Sequence, residues 1–516
     1  MHLTKEQERI IATQTHIKVQ AIAGAGKTST IIAYAESRPA HAKILYIVFN
    51  ASAKQEAQEK FKQRNLTNVT VTTAHALAYQ YMITDAGYTV RSTEYALDDL
   101  VYMLDISGSR SHTMRIAHHV KKYMALYCNS IETDMDRIAY ASYLTDAETL
   151  DFFTTHSACI IEKAKLWFTF MDTQQCDSTH DFYLKKFHLC IPDLGYDYVL
   201  FDEAQDASGA MLGIFLAQKD SVKVMVGDTH QQIYSWRYAV NSLEYVDFPE
   251  YRLSASFRFH ADIADLATRI LSLKKYVTTY DTITITGKGA YRDMPRTYAT
   301  IARTNLGLLR MVLAYLEMCT DDVPRLYFEG TLRSYMYGVM DGALHDIFAL
   351  YTGAYHDMRD PFLKTFTSYE ALETYALSVH DVSLGLMIDM VKRYREELPA
   401  VIATIQSYHV DDRSTAQHIF STVHKCKGME YDHITLADDF ITEQALVNID
   451  TNTAHPQDIA KAIEEINLLY VAVTRAHGYV VLPARYRTES LDVDSPYIQW
   501  VDEAEEGYRA YKKPVS

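Results

Sequence analysis

Basic residues are in short supply: 50 lysines and arginines face 66 aspartates and glutamates, a formal charge of −16. That balance excludes a chain basic over its whole surface and leaves room only for a local basic groove. Lys121 with Lys122, Lys185 with Lys186 and Lys274 with Lys275 are the candidates, solvated surface lysines being the plainer reading. The six cysteines include no Cys-x-x-Cys pair, which removes a disulfide framework and a zinc or iron–sulfur cluster from consideration. They are expected to be reduced and buried. No apolar run approaches the roughly 18 residues of a membrane span, so a soluble protein is expected. Residues 1–10 are polar where a secretory signal needs an apolar stretch, and an intracellular location, cytoplasm or nucleoid, or the nucleus of a eukaryotic or viral host, is the expectation. Repeats, low-complexity tracts and long Gly/Ser/Pro linkers are also missing, so domain limits must be found from the rhythm of strands and helices.

That rhythm is present. The 516 residues, 48% of them apolar, are enough for about three or four domains. Short apolar runs predict buried parallel strands at 17–22, 44–49, 69–73, 198–201 and 222–226, a doubly wound sheet. A second series falls at 298–302, 326–328, 419–423, 434–437 and 479–482. Each series is interrupted by a mostly helical stretch rich in tyrosine. The expected plan is α/β: residues 1–80 with 194–249 as the first domain, 81–193 as its helical insertion, 250–330 with 415–490 as the second, 331–414 as a reduced insertion and 491–516 as a tail.

Residues 21–28 follow a predicted strand and open a predicted helix, the setting a phosphate-binding loop requires. Gly24 and Gly26 let the backbone close N–H groups of Ala23, Gly24, Ala25 and Gly26 around phosphate oxygens, Lys27 adds a point charge, and Thr28 offers a hydroxyl to magnesium. Ala21 stands where the general pattern has its first glycine. The strand at 198–201 runs directly into Asp202 and Glu203. A carboxylate there can reach the same metal, and a second can deprotonate the attacking water, so Asp202 is assigned to the metal and Glu203 to the base. ATP and Mg2+ are the expected cofactors.

With these residues in view the chain resembles the superfamily 1 helicases of the UvrD/Rep type, with motifs most like those of the helicase part of the F-box DNA helicases. The match runs in order through Gln7, Phe49 with Asn50, Thr73 with His75, residues 227–237, Phe257 with Arg258, Arg303 with Asn305, residues 423–430 and residues 469–476. The resemblance implies two RecA-like parallel-sheet motor domains and a DNA-stimulated ATPase moving 3′ to 5′ on single-stranded DNA, in repair, recombination or replication. It implies that Gln7 reads adenine, Phe257 stacks on it, Glu430 holds the ribose and Ser29 borders the nucleotide. Gln231 would sense the γ-phosphate, and Arg258 and Arg475 would close on it as arginine fingers. Phe49, Tyr234 and Trp236 would stack on bases, the last two along a predicted extended segment. Asn50, His75, Arg237, Asn305 and His424 would touch backbone or sugar.

Two departures stand out. The family often has an arginine after the loop threonine, where this chain has Ser29, and the stretch from Asn305 to His424 is short for the family. Neither an F-box-like segment ahead of Gln7 nor a nuclease-like carboxylate cluster after Ala476 is read here. The expected partners are single-stranded DNA and its junctions with duplex. Two alternatives stay open: a translocase that strips recombinase or other proteins from DNA, and an ATP-gated interaction module.

Overall fold

A computed structural model describes residues 3–280, 283–291, 296–319, 323–335, 343–360, 362–379 and 382–502. The chain divides into two units, Met1–Ala255 with His455–Asp458, and Ser256–Ala454 with Ile459–Ser516.

The first unit is built on a parallel sheet of β1 (Ile17–Ala21), β2 (Ile44–Val48), β3 (Val69–Thr73), β4 (Tyr198–Phe201), β5 (Val222–Gly227) and β6 (Glu250–Leu253). Their order across the sheet is β3-β2-β4-β5-β1-β6. β2 is buried at every position, the pattern of a strand covered on both faces. Because the strands are parallel, each must return through a crossover, and every loop leaving a strand's C-terminal end gathers at one edge. Between β3 and β4 the chain inserts helices Leu97–Met103, Arg110–Asn129, Ala147–Asp172 and His180–Cys190. Along Arg110–Asn129 the buried residues Thr113, Ile116, Ala117, Val120, Tyr123, Met124 and Tyr127 recur every three or four positions, the stripe one helical face presents to a core. Ser109 and Asp146 start the two longest helices by accepting from His112 N and Thr149 N.

The second unit holds a parallel sheet of β9 (Tyr298–Ala302), β10 (Leu326–Phe328), β11 (His418–Thr422), β12 (Tyr431–Leu436), β13 (Ala476–Pro483) and β14 (Ile498–Val501), ordered β10-β11-β9-β12-β13-β14. A small ribbon pairs β7 (Ala255–Ser256) with β8 (Thr286–Gly287). Between β10 and β11 lie helices Ala343–Thr352, Tyr369–Val379, Val382–Tyr394 and Leu398–Tyr408, which share a core with Leu308, Phe328 and Phe420.

Several expectations need correction. The sequence reading lacks β6 and β14, because charged or polar residues interrupt both half-exposed edge strands and neither shows an apolar or β-branched run. β6 pairs with β1 and carries the first sheet past residue 249, while β14 pairs with β13 inside what reads as tail. The tail from residue 503 onward lies outside the described residues. All six cysteines are free, yet only Cys128 and Cys426 are buried. Of the lysine pairs, Lys185 and Lys274 are buried, Lys121 pairs with Glu94 and Lys186 with Asp172. Among the described residues no helix is long and apolar enough to cross a membrane.

Candidate active site and nucleic-acid interface

The phosphate loop leaves β1 at the C-terminal edge of the first sheet, and the topology puts β5 next to β1 and β4 beyond β5. Asp228, after β5, and Asp202 with Glu203, after β4, therefore meet the loop. Gly24 and Gly26 adopt φ of 72° and 76°, the left-handed region, and Gly26 caps the helix α2 (Lys27–Glu36) that Lys27 opens. Ala21 needs no such freedom: it is still in β1, paired with Leu253. The missing first glycine thus costs the loop nothing.

Lys27 Nζ lies 2.9 Å from Glu203 Oε1 and 3.0 Å from Oε2. Burial alone would lower the Lys27 pKa, but Glu203, Asp228 and Asp202 together raise it, so the ammonium stays charged. Glu203 has φ 51°, a left-handed conformation costing about 1–3 kcal/mol for a residue other than glycine. That turn directs its carboxylate back to the loop, where Gln205 Nε2 also donates to it over 2.6 Å. Asp202 accepts a hydrogen bond from the Tyr46 hydroxyl of β2. Burial first, and then the Glu203 charge, push the Asp202 carboxyl up from the ordinary range. Gln231 donates to Asp228 Oδ2 over 2.6 Å, and Asp228 N donates to Gln205 Oε1 over 3.0 Å. Gln7 is buried, with Nε2 3.0 Å from Thr30 Oγ1 of α2.

Two buried carboxylates, Asp202 and Asp228, and the partly exposed Glu203 around one lysine leave the site short of positive charge, which fits a divalent cation. Among the described residues no group of three or more His, Cys, Asp or Glu side chains can hold a metal. Thr28 and Asp202 are the residues that would hold such a cation, which would supply positive charge against bound phosphates.

The same edge carries the proposed DNA contacts. The rings of Phe49, after β2, and Tyr234 are stacked with centroids 5.8 Å apart and planes 14° apart. His75 meets Tyr183 edge-on, and burial lowers its pKa to about 4. Asn50 is committed to its helix: its Oδ1 accepts from Ala53 N over 2.8 Å. The segment predicted to be extended instead turns, Ser235–Arg237 forming a 3-10 turn closed by Tyr238 at φ 59°. Turn bonds from Arg237 N and Tyr238 N to Tyr234 O and Ser235 O replace strand pairing. The Trp236 side chain lies outside what is described.

In the second unit the candidates separate to the two ends of the sheet. Glu430 immediately precedes β12, Arg475 immediately precedes β13, and Tyr431 pairs with Ala476, so both stand at the N-terminal edge. Arg258 joins them, its Nε 2.7 Å from Glu430 Oε1 and one terminal nitrogen 3.0 Å from Thr474 O. His477 Nε2 lies 3.0 Å from Glu430 Oε2. The His477 hydrogen bond and the Arg258 charge hold the Glu430 carboxyl down at about 2. Arg475 is buried, bonded to Val471 O over 2.9 Å, and burial followed by repulsion from Arg258 lowers its pKa to about 10. Phe257 is exposed beside them.

Asn305 and His424 follow β9 and β11 at the opposite, C-terminal edge. They line a cleft of about 390 Å³ with Arg303, Thr304, Thr422, Asp439 and Glu465. Arg303 is locked by a fork of bonds of 2.7–3.1 Å to Glu465, and Asp439 accepts from Arg303 N and Thr304 N over 2.8 Å each.

Sequence reading missed four members of these sites. The rule that found Asp202, a carboxylate directly after a buried strand, also finds Asp228. Gln205, Tyr46 and His477 carried no such signal, Tyr46 least of all, since it sits in an unbroken apolar strand.

Residues 193–247 match the model of the UvrD/REP helicase N-terminal domain and residues 384–484 that of the UvrD-like helicase C-terminal domain. The chain is 29% identical to F-box DNA helicase 1 of Gallus gallus over 92% of its length and 48% of that protein. It is 27% identical to F-box DNA helicase protein 1 of Schizosaccharomyces pombe, covering 93% of the chain and 57% of the relative. A probable DNA helicase of Mycoplasma pneumoniae is 22% identical, over 93% of the chain and 83% of the relative. The chain thus spans about half the length of the two F-box relatives.

Proposed function

We infer that this chain, a UvrD-like helicase by its family-model matches and its fold, is an ATP-driven motor that moves 3′ to 5′ along single-stranded DNA and separates duplex at its junctions. The observation that carries the reading is Lys27 at the phosphate loop, encircled by Glu203, Asp202 and Asp228 from adjacent strands. A pure nucleotide-gated switch has no need of a base beside the lysine.

On this reading incoming phosphates take Lys27 from Glu203, and the backbone N–H groups of residues 23–29 surround them. Bound Mg2+, held by Thr28 and Asp202, would offset phosphate charge. Gln231 orients a water, Glu203 takes its proton, the water oxygen bonds to the γ-phosphorus, and the bond to the bridging oxygen breaks. Arg258 and Arg475 would stabilise the charge that builds on the transferred group, each leaving its present partner to do so. Gln7 and Phe257 would take the base and Glu430 the ribose.

DNA would be contacted by residues of each unit: stacking on Phe49, Tyr234 and Trp236 is indifferent to base identity, as a motor requires. His75, Arg237, Asn305, His424 and the amide nitrogen of Asn50 would hold the backbone. The motor domains are assigned as the sequence reading has them, the first extended through β6 and the second through β14. The site of action is DNA, in nucleoid or nucleus, during repair, recombination or replication.

Strand displacement on duplexes with 3′ or 5′ single-stranded tails tests the reading. Displacement from 3′ tails alone is expected, and displacement from 5′ tails alone overturns the polarity. The short helical stretch between β10 and β11 favours a second reading, protein stripping with weak unwinding. Release of recombinase from coated single strands without displacement of duplex would select it.

A further inference from the structure

Arg38 is 6% exposed, and among the described residues no carboxylate meets its charge. Instead it reaches three backbone carbonyls: Ile11 over 2.6 Å, Thr13 over 2.7 Å and Tyr34 over 3.2 Å. Its guanidinium lies 4.2 Å from the centre of the Tyr34 ring and 5.7 Å from that of Tyr198. Ile11 ends the helix α1 (Lys5–Ile11), and Arg38 itself follows the end of α2. The cation therefore sits where the negative ends of two helix dipoles converge. A buried unpaired charge is an expensive way to join two helices if packing is all that is needed. What a planar fork adds over an apolar side chain is orientation, because several carbonyls must keep fixed directions at once.

The orientation matters because of Gln7. It stands four residues before Ile11, on the same face of α1, so rotation of α1 about its axis moves the two together. The N-terminal end of α1 is tied as well: Thr4 and Gln7 form a capping box, and Glu6 accepts from Ser254 N over 2.9 Å and Ser254 Oγ over 2.7 Å. The Gln7 amide lies against the phosphate loop, with Nε2 3.3 Å from where a Cβ on Gly26 would stand. One of its N–H groups goes to Thr30, and its oxygen accepts from Thr4 N over 3.0 Å. An amide has two donors and two acceptor sites, so one of each remains. A donor beside an acceptor, both from one amide, complements the N7 and N6 edge of adenine and no arrangement of the inosine edge, which presents two acceptors.

We propose that Arg38 is a positioning residue for base choice: it sets the rotation of α1 and so aims the Gln7 amide at adenine. The proposal rests on the nucleotide-binding reading above but not on turnover. Competition of ATP and ITP against a fluorescent ADP analogue, in the presence of Mg2+, gives the ratio of their dissociation constants directly. The wild type is expected to prefer ATP. Arg38→Met should lower that preference about tenfold, the equivalent of one lost hydrogen bond to a well-placed partner, and chiefly by weakening ATP. Arg38→Lys keeps the charge but not the fork and should fall between, which preserves the test if the methionine variant does not fold. Gln7→Ala should remove the preference, with Arg38→Met adding nothing to the ratio on top of it. An unchanged ratio in both Arg38 variants, equal weakening of ATP and ITP, or a wild type without preference overturns the proposal. Loss of the motor reading would show itself separately, as ATP bound with preference but not hydrolysed.

Discussion

Lys27 Nζ bridges both carboxylate oxygens of Glu203, at 2.9 and 3.0 Å, so the phosphate ligand and the proposed base hold each other. Arrival of a nucleotide must part them, and the two residues should then fail differently. Lys27→Ala should lose both nucleotide affinity and turnover. Glu203→Gln keeps a similar shape without a base and should lower turnover by about 100-fold or more while ATP still binds. Single-turnover hydrolysis with parallel equilibrium binding separates the two, and retention of turnover in either variant contradicts the assigned roles.

Tyr46 should behave as a support for the metal ligand. Its hydroxyl fixes one oxygen of Asp202, and such supports typically alter metal affinity by about 10–100-fold when removed. Tyr46→Phe should therefore raise the Mg2+ concentration needed for half-maximal nucleotide binding. An unchanged Mg2+ requirement would make the tyrosine a core residue only.

Phe49 and Tyr234 stack on each other and should not act independently. Each alanine variant should weaken single-stranded DNA binding by about 1–3 kcal/mol, the worth of one base–aromatic stack. The double variant should lose less than the sum, since removing either ring already spoils the shared platform. Strict additivity in fluorescence anisotropy would show two separate contacts.

Much of this was legible because parallel sheets leave a plain trace. The inner strands β1, β2, β4, β5, β9 and β11 to β13 read as apolar runs, the edge strands β3 and β10 show through β-branched or apolar residues, and loops at the C-terminal ends must lie at one edge, so the phosphate loop, Asp202 and Glu203 are legible in the sequence. Edge strands β6 and β14 escaped, because charged or polar residues interrupt both. The turn at Ser235–Arg237 escaped because alternating aromatic and polar residues fit an extended strand as well as a tight turn, and only the closing Tyr238 in a left-handed conformation decides it. The partition of the second unit, with Arg258, Glu430 and Arg475 at one end of the sheet and Asn305 and His424 at the other, follows from strand direction once the order is known. The six residues of β12 put about 20 Å between the two groups.

The second sheet should also make the protein sensitive to mild acid. His433 is buried between Tyr298 and Tyr479, and burial lowers its pKa to about 3. Its folded value lies below the ordinary value of about 6.5, so the unfolded chain takes the proton first and stability falls as pH drops from 6.5 toward 3. At pH 5.5 the loss from this one group is about 1.4 kcal/mol. Urea unfolding at pH 7.5 and 5.5 should show the wild type losing about that much more than His433→Phe. Equal losses would mean that His433 is solvated in the folded state.

On the proposed reading, hydrolysis at the Lys27 site is coupled to single-stranded DNA bound at Phe49 and Tyr234. ATP turnover measured with and without single-stranded DNA, for the wild type and Lys27→Ala, tests it most directly. Turnover should rise several-fold on adding DNA and be absent in the variant. Turnover indifferent to DNA, or surviving the loss of Lys27, would contradict it.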